Sequence, residues 1–264
     1  MQFIHLKSKK MNYKNILKIV FMLMPLLFIL TACDKDEDEK DELQEVNFHI
    51  HTNFGHQELK INHDYFIDDR KIVFDHVAYY LSEFTLHREG GEDVILDDTY
   101  LLVTHDEMNY KGQKVEPGNY SGYSFVVGVP ANKNTDEGAD AKDPSEYEEG
   151  HPLGFHSPSM HWSWNTGYIF VRIDGQVDVS EAKDGSQMES LTIHLGTDNL
   201  LRQVHMHENF IVHTSIPRTL HLDVNLRHLL SHLDLQVENS TMTMNNPELA
   251  EKIADRIPEI FGSH

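Results

Sequence analysis

The sequence predicts an all-β protein, a β-sandwich of short antiparallel strands with one or two short helices near the C-terminus. Three observations carry this. From Val46 onward the chain falls into short runs with the apolar–polar alternation of half-buried strands. Gly, Pro and Asn-Asp clusters punctuate those runs, as turns between strands do. Helical spacing of apolar residues marks two segments, both late in the chain. With 39% hydrophobic and 25% charged residues among 264, a single core is affordable and wholesale disorder is not expected.

Val46-Asn47-Phe48-His49-Ile50-His51 is the first expected strand. Residues 71–86 carry Ile72, Phe74, Val77, Tyr79, Leu81 and Phe84, which read as one or two strands around a bend. Residues 93–104 are rich in β-formers. Residues 120–129 follow the turn Glu116-Pro117-Gly118-Asn119. Further strands are expected over 168–173, 190–195, 208–214 and 219–224. Residues 131–152 read as a long acidic loop. The two helices are expected over 225–233, with Leu226, Leu229, Leu230 and Leu233 on one face, and over 247–257. The second starts with Asn246 as N-cap and Pro247 in the first turn.

Residues 1–18 carry five lysines and no acid, and a short apolar run over 19–32 ends in Leu30-Thr31-Ala32-Cys33. That run is shorter than the roughly 20 apolar residues of a membrane span and reads as a secretory signal peptide, residues 1–32. The tetrapeptide resembles a bacterial lipobox, in which Cys33 would be lipidated and become the first mature residue. Residues 33–45 form an acidic tether, similar to the export signals of surface lipoproteins in Bacteroidota. Residues 46–264 form one β domain. The expected location is the outer membrane, on its periplasmic or its outward side, held only through the lipid.

Cleavage at residue 32 takes the net charge from −21 to −26. Such acidity argues against a nucleic-acid partner, whose phosphates are bound by Lys and Arg. A single Cys rules out an intrachain disulfide, a thiolate zinc finger and an iron–sulfur cluster. No Gly-x-Ser-x-Gly, His-Glu-x-x-His or phosphate-binding glycine loop is present, so no enzymatic activity is expected.

The 19 histidines are the main chemical signal. His49-x-His51 and His205-x-His207 each put two imidazoles on one side of a strand. His228 and His232 lie four apart on the first helix. Others, among them His76, His105, His194 and His221, are scattered. Imidazole suits copper, zinc, iron and nickel. The second signal is Met160-His161-Trp162-Ser163-Trp164, which holds both tryptophans of the chain beside soft and imidazole donors. A buried aromatic strand is the plain alternative for this segment.

Met160-x-Trp162-x-Trp164-x-x-Gly167-Tyr168-x-Phe170-x-x-x-Asp174-Gly175 resembles the signature of the MbnP-like copper-binding proteins. Tyr79-Tyr80-Leu81-Ser82, Pro117-Gly118-Asn119-Tyr120 with Phe125 to Pro130, and His194-Leu195-Gly196 resemble three further segments of that family in the same order. The resemblance implies a secreted β domain that binds copper without catalysis of its own. It also implies a tryptophan oxidised to kynurenine near His ligands, the oxidation coming from a dihaem partner of the MauG type. Carried onto this chain, the oxidised residue is Trp162 or Trp164, with Trp162 favoured by its neighbours Met160 and His161. The expected ligands are His49, His51 and His194, then His205, His207, Met160 and His161. In many relatives a Cys follows the His-Leu-Gly segment; here Thr197-Asp198-Asn199-Leu200-Leu201 follows. Capture of zinc, iron or haem, and an adhesive sandwich with incidental histidines, are the competing readings. The tests of the copper reading are whether His49, His51, His194 and a tryptophan share one coordination sphere, and whether one tryptophan turns to the histidines while the other enters the core or, as two residues of one regular strand would, both face the site with one packing beside the other.

Overall fold

The computed structural model describes residues 42–138 and 141–263. The segment read as a signal peptide, Cys33 and most of the segment read as an acidic tether lie outside the described residues. None of the described helices is long and apolar enough to cross a membrane.

Sixteen strands follow one another along the described chain. They are β1 (Gln44–Phe54), β2 (Gln57–Glu58), β3 (Asp64–Ile67), β4 (Arg70–Arg88), β5 (Val94–Ile95), β6 (Leu101–Thr104), β7 (Asn109–Val115) and β8 (Gly118–Val127). After a long covering segment come β9 (His161–Ser163), β10 (Gly167–Asp178), β11 (Met188–Gly196), β12 (Arg202–Met206), β13 (Phe210–Val212) and β14 (Arg218–Asn225). Helix α1 (Leu226–Leu230), β15 (Ser240–Thr241), α2 (Pro247–Ala254) and β16 (Phe261–Gly262) complete the chain. The first strand thus begins at Gln44, inside the span read as tether.

Two sheets result. One has the order β16-β14-β1-β2, with β7 also on β1. The other runs β12-β8-β4-β10-β11-β15, with the short β3, β5, β6, β9 and β13 on its flanks. Most pairs are antiparallel, but β1 with β14 and β11 with β15 are parallel, a pairing not expected from the sequence. The main core lies between the sheets. On β1, Val46, Phe48, Ile50 and Phe54 enter it, while Asn47, His49, His51 and Asn53 stay on the outward face. Burying a side chain such as Phe48 contributes roughly 1.5–3 kcal/mol. Phe48 meets Phe84 at 4.5 Å between ring centroids, which ties β1 to the facing sheet.

The segment 71–86 is one long strand whose facing changes at bulges. Ile72 and Phe74 enter the core, and so do Val77 and Tyr79. Asp75 is the extra residue, for Asp174 pairs with His76 while Gly175 pairs with Phe74. That shift turns His76, Ala78 and Tyr80 outward. A second shift falls after Ser82, where Glu83 has a φ of 51°. It returns Phe84 and Leu86 to the core.

The outward face of this larger sheet is not left to solvent. A second apolar cluster forms there from Ala78, Tyr80, Val129, Leu153, Met160, Tyr168, Ile169 and Phe170, with both tryptophans packed against it. The segment between β8 and β10 supplies its roof, the stretch read as an acidic loop contributing Tyr147 and the Pro152 carbonyl. Tyr80 and Tyr168 donate hydrogen bonds to the Pro152 and Leu153 carbonyls, which satisfies their buried hydroxyls.

Both helices are shorter than expected. Asn225 caps α1 by accepting from the Arg227 amide; the Ser231 amide makes the last helical bond, to the Arg227 carbonyl, and Leu233 then bonds back three residues to Leu230 as the chain leaves the helix in a turn. Asn246 caps α2 by accepting from the Leu249 amide, with Pro247 in the first turn, as the sequence indicates. A 3-10 turn from Ile257 to Ile260 replaces the last expected helical residues.

Candidate metal centre

Arg172 and Asp174 project outward from β10, since Val171 and Ile173 between and beside them enter the core. Register brings His194 of β11 opposite Arg172 and His76 of β4 opposite Asp174. Period-two geometry therefore collects these four side chains on one face, under the edge of the second cluster.

His194 is 6% exposed. Its Nε2 donates to Asp174 Oδ1 at 2.6 Å, and the carboxylate also accepts from Arg172 Nε at 2.6 Å. Burial alone would raise the Asp174 pKa, but hydrogen bonds from His194 and Arg172 outweigh it and hold the carboxyl below its usual range. With the proton fixed on Nε2, Nδ1 carries the lone pair. That atom is buried and has no hydrogen-bond partner. The same holds for His76 Nε2, His105 Nδ1 and His161 Nε2. The His76 and His105 rings lie 5.8 Å apart. Burial lowers the pKa of His76, helped by the charges of Arg172 and His105, and burial lowers that of His161, so both rings favour the neutral, ligating form.

Trp162 lies over this ground. Its ring is 6.5 Å from that of His194. Gly196 makes the approach feasible, because a Cβ there would come 2.6 Å from Trp162 Cζ3 and 2.6 Å from the Tyr168 carbonyl oxygen. Trp164 falls in the turn after β9 and faces a different neighbourhood. It packs edge-on against His161 at 4.6 Å and Tyr168 at 6.1 Å, and its Nε1 donates to Asp143 Oδ2 at 3.2 Å. The turn closes at Gly167, whose φ of 71° a side chain rarely adopts, with Asn134 Oδ1 accepting from the Tyr168 amide at 2.8 Å. Neither tryptophan enters the main core: both pack on the second cluster, Trp162 beside His194 and Trp164 beside His161, so each ring faces a histidine of its own.

The expected ligands do not form one coordination sphere. His49 and His51 sit on the outward face of the smaller sheet and His194 on the outward face of the larger one, with the main core between them. His49 and His51 instead meet His221 of β14, which the sequence reading left among the scattered histidines; one ligand atom of each lies within 4.8 Å of the others. His205 and His207 are exposed near the end of β12, and the His205 ring stacks at 6.4 Å on that of His87, which is bonded to Asp93. Met160 is buried in the second cluster.

Among the described residues of this β-sandwich, two groups, His49 with His51 and His221 and His228 with His232 and Glu259, could hold a metal ion. The MbnP family model matches residues 43–245, and the chain belongs to the MbnP family. Among solved structures it is similar to MbnP from Methylosinus trichosporium, with a TM-score of 0.53 and 13% identity over 76% of this chain and 82% of that one. At that identity the likeness speaks for the fold. No curated protein matches the sequence.

Proposed function

We propose that this protein is a cell-envelope lipoprotein that binds copper beside Trp162 and His194 and serves copper uptake or homeostasis. The observation that carries the reading is His194. Its Nε2 is held by Asp174 and its Nδ1 is buried without a partner beside the Trp162 ring. A buried acceptor left unpaired is costly, and a metal ion is one way to satisfy it. His76 lies across β10 from His194, opposite Asp174, and also keeps a buried Nε2 without a partner. The fit is real but incomplete: among the described residues no three His or carboxylate ligand atoms converge there within 4.8 Å. A further donor is needed, and indole is a poor one.

Oxidation of Trp162 would supply that donor. Cleavage of the indole ring with loss of the formyl carbon leaves an aromatic amine and a ketone, the kynurenine form. The oxidant comes from outside the chain, in this reading a MauG-type dihaem protein. Copper heads the divalent affinity order, which favours it in a nitrogen-rich site.

The test uses protein purified from its native host, since another host can lack the oxidase. Copper should co-purify. The peptide holding Trp162 should show one carbon exchanged for one oxygen while Trp164 stays intact, and Trp162→Phe should lose most of the copper. Copper present with both tryptophans intact removes the kynurenine step alone. No copper in native protein removes the copper reading. Anchoring through Cys33 has its own check: Cys33→Ala should release the protein from membranes or leave it uncleaved, and normal processing of that variant would contradict the lipobox.

A further inference from the structure

A second group of imidazoles lies on the other side of the molecule. Period two puts His49 and His51 on the outward face of β1, their rings 4.4 Å apart between centroids. The parallel register sets His221 of β14 directly opposite His49, at 5.1 Å between rings. One nitrogen from each ring lies within 4.8 Å of the other two. On the opposite flank of β1, β7 brings Asn109 into register with His49. Asn109 Oδ1 accepts from His49 Nδ1 at 2.7 Å, which puts the proton on Nδ1 and leaves the Nε2 lone pair for a ligand. Asp223, the register partner of His51, adds a carboxylate beside the cluster and accepts from Asn53 at 3.3 Å.

We propose that His49, His51 and His221 form a second metal site, independent of the one beside Trp162, for an exchangeable divalent ion of the zinc type. Three imidazoles without sulfur are a donor set for a borderline divalent cation. His221 is exposed and the other two rings are partly buried, so a bound ion keeps an open position toward solvent, the arrangement that lets an ion exchange. Asn109 is a positioning residue that fixes one ligand's tautomer. His228, His232 and Glu259 are the other converging group among the described residues, and there both Glu259 oxygens accept from Arg256 at 3.1 and 3.0 Å.

Cobalt(II) is the probe, because a tetrahedral nitrogen-rich site colours it, and zinc should then displace it. The full chain in detergent is titrated with cobalt(II) and followed by visible absorption, with circular dichroism as the check on folding. The wild-type protein should develop saturable bands that zinc removes. Neither His49→Ala nor His221→Ala should develop them. Asn109→Ala should keep the bands with about 10–100-fold weaker binding. His194→Ala and His228→Ala should leave them unchanged. Absent bands in folded wild-type protein overturn the site, as do bands that survive in His221→Ala or vanish in His228→Ala. Unaltered affinity in Asn109→Ala overturns the role given to Asn109. None of these outcomes bears on copper beside Trp162, which is carried by the opposite face.

Discussion

The outward faces of the two sheets carry the same side chain in opposite settings. On the smaller sheet His49, His51 and His221 converge and remain open to solvent. On the larger sheet His76, His105, His161 and His194 each keep a buried nitrogen without a partner, and they do not converge. What separates the two faces is the covering segment between β8 and β10. It brings Met160, Trp162, Trp164 and Leu153 onto the sheet, and His161 belongs to the segment itself. In the reading proposed above, convergence serves an ion that comes and goes, and burial with a fixed tautomer serves one that is held once a further donor is present.

Asp174 tests the buried face most sharply. Replacing it with Asn keeps the shape but weakens the hydrogen bond that fixes His194. Copper affinity of native-host protein should fall about 10–100-fold, read by competition with a chelator, while cobalt binding at His221 stays unchanged. Equal copper affinity would mean that His194 Nδ1 is not a ligand atom.

Met160 comes next. It is 2% exposed within the roof cluster. Met160→Ala should cost about 2–5 kcal/mol of stability in denaturant unfolding. It should also lower copper retention by loosening the cover over Trp162, while the open face is spared. Full retention of copper would show that the roof is packing only.

The smallest effect concerns neither face. Asp178 closes the turn between β10 and β11, accepting from the Ser180 amide and hydroxyl at 3.0 Å each and from the Gly185 amide at 2.9 Å. Burial would raise its pKa, but these bonds outweigh it and hold it down to about 2. A carboxyl depressed in the folded state stabilises above its unfolded pKa of about 3.9. That stability is lost as pH falls from about 4 toward 2. Melting temperature should drop over that window, and Asp178→Asn should be less stable at neutral pH with a flatter acid limb. A variant with the wild-type acid limb would assign acid unfolding elsewhere.

The strand pattern was legible where alternation ran unbroken, as along β1, whose outward histidines follow from parity alone. It was not legible on β4. There the bulge at Asp75 reverses parity, so His76 leaves the core face that its spacing from Ile72 and Phe74 implies. His221 was missed for another reason. Its own strand was read correctly, and its outward parity was available, but the parallel partner, His49, is far away in the chain, a long-range choice that local sequence does not encode. Asp174 stood inside the motif that carries the family resemblance; its part as the support for His194 emerged only with the β10–β11 register. The separation of Trp162 from Trp164 rests on Gly167, where the need for a turn was visible and its consequence for the two rings was not.

The central claim is that copper belongs beside Trp162 and not among the open imidazoles. Anomalous diffraction at the copper edge, from crystals of native-host protein, tests it directly. The account predicts an anomalous peak within bonding distance of His194 Nδ1, beside residue 162. A copper peak confined to His49, His51 and His221, with none near His194, would contradict it.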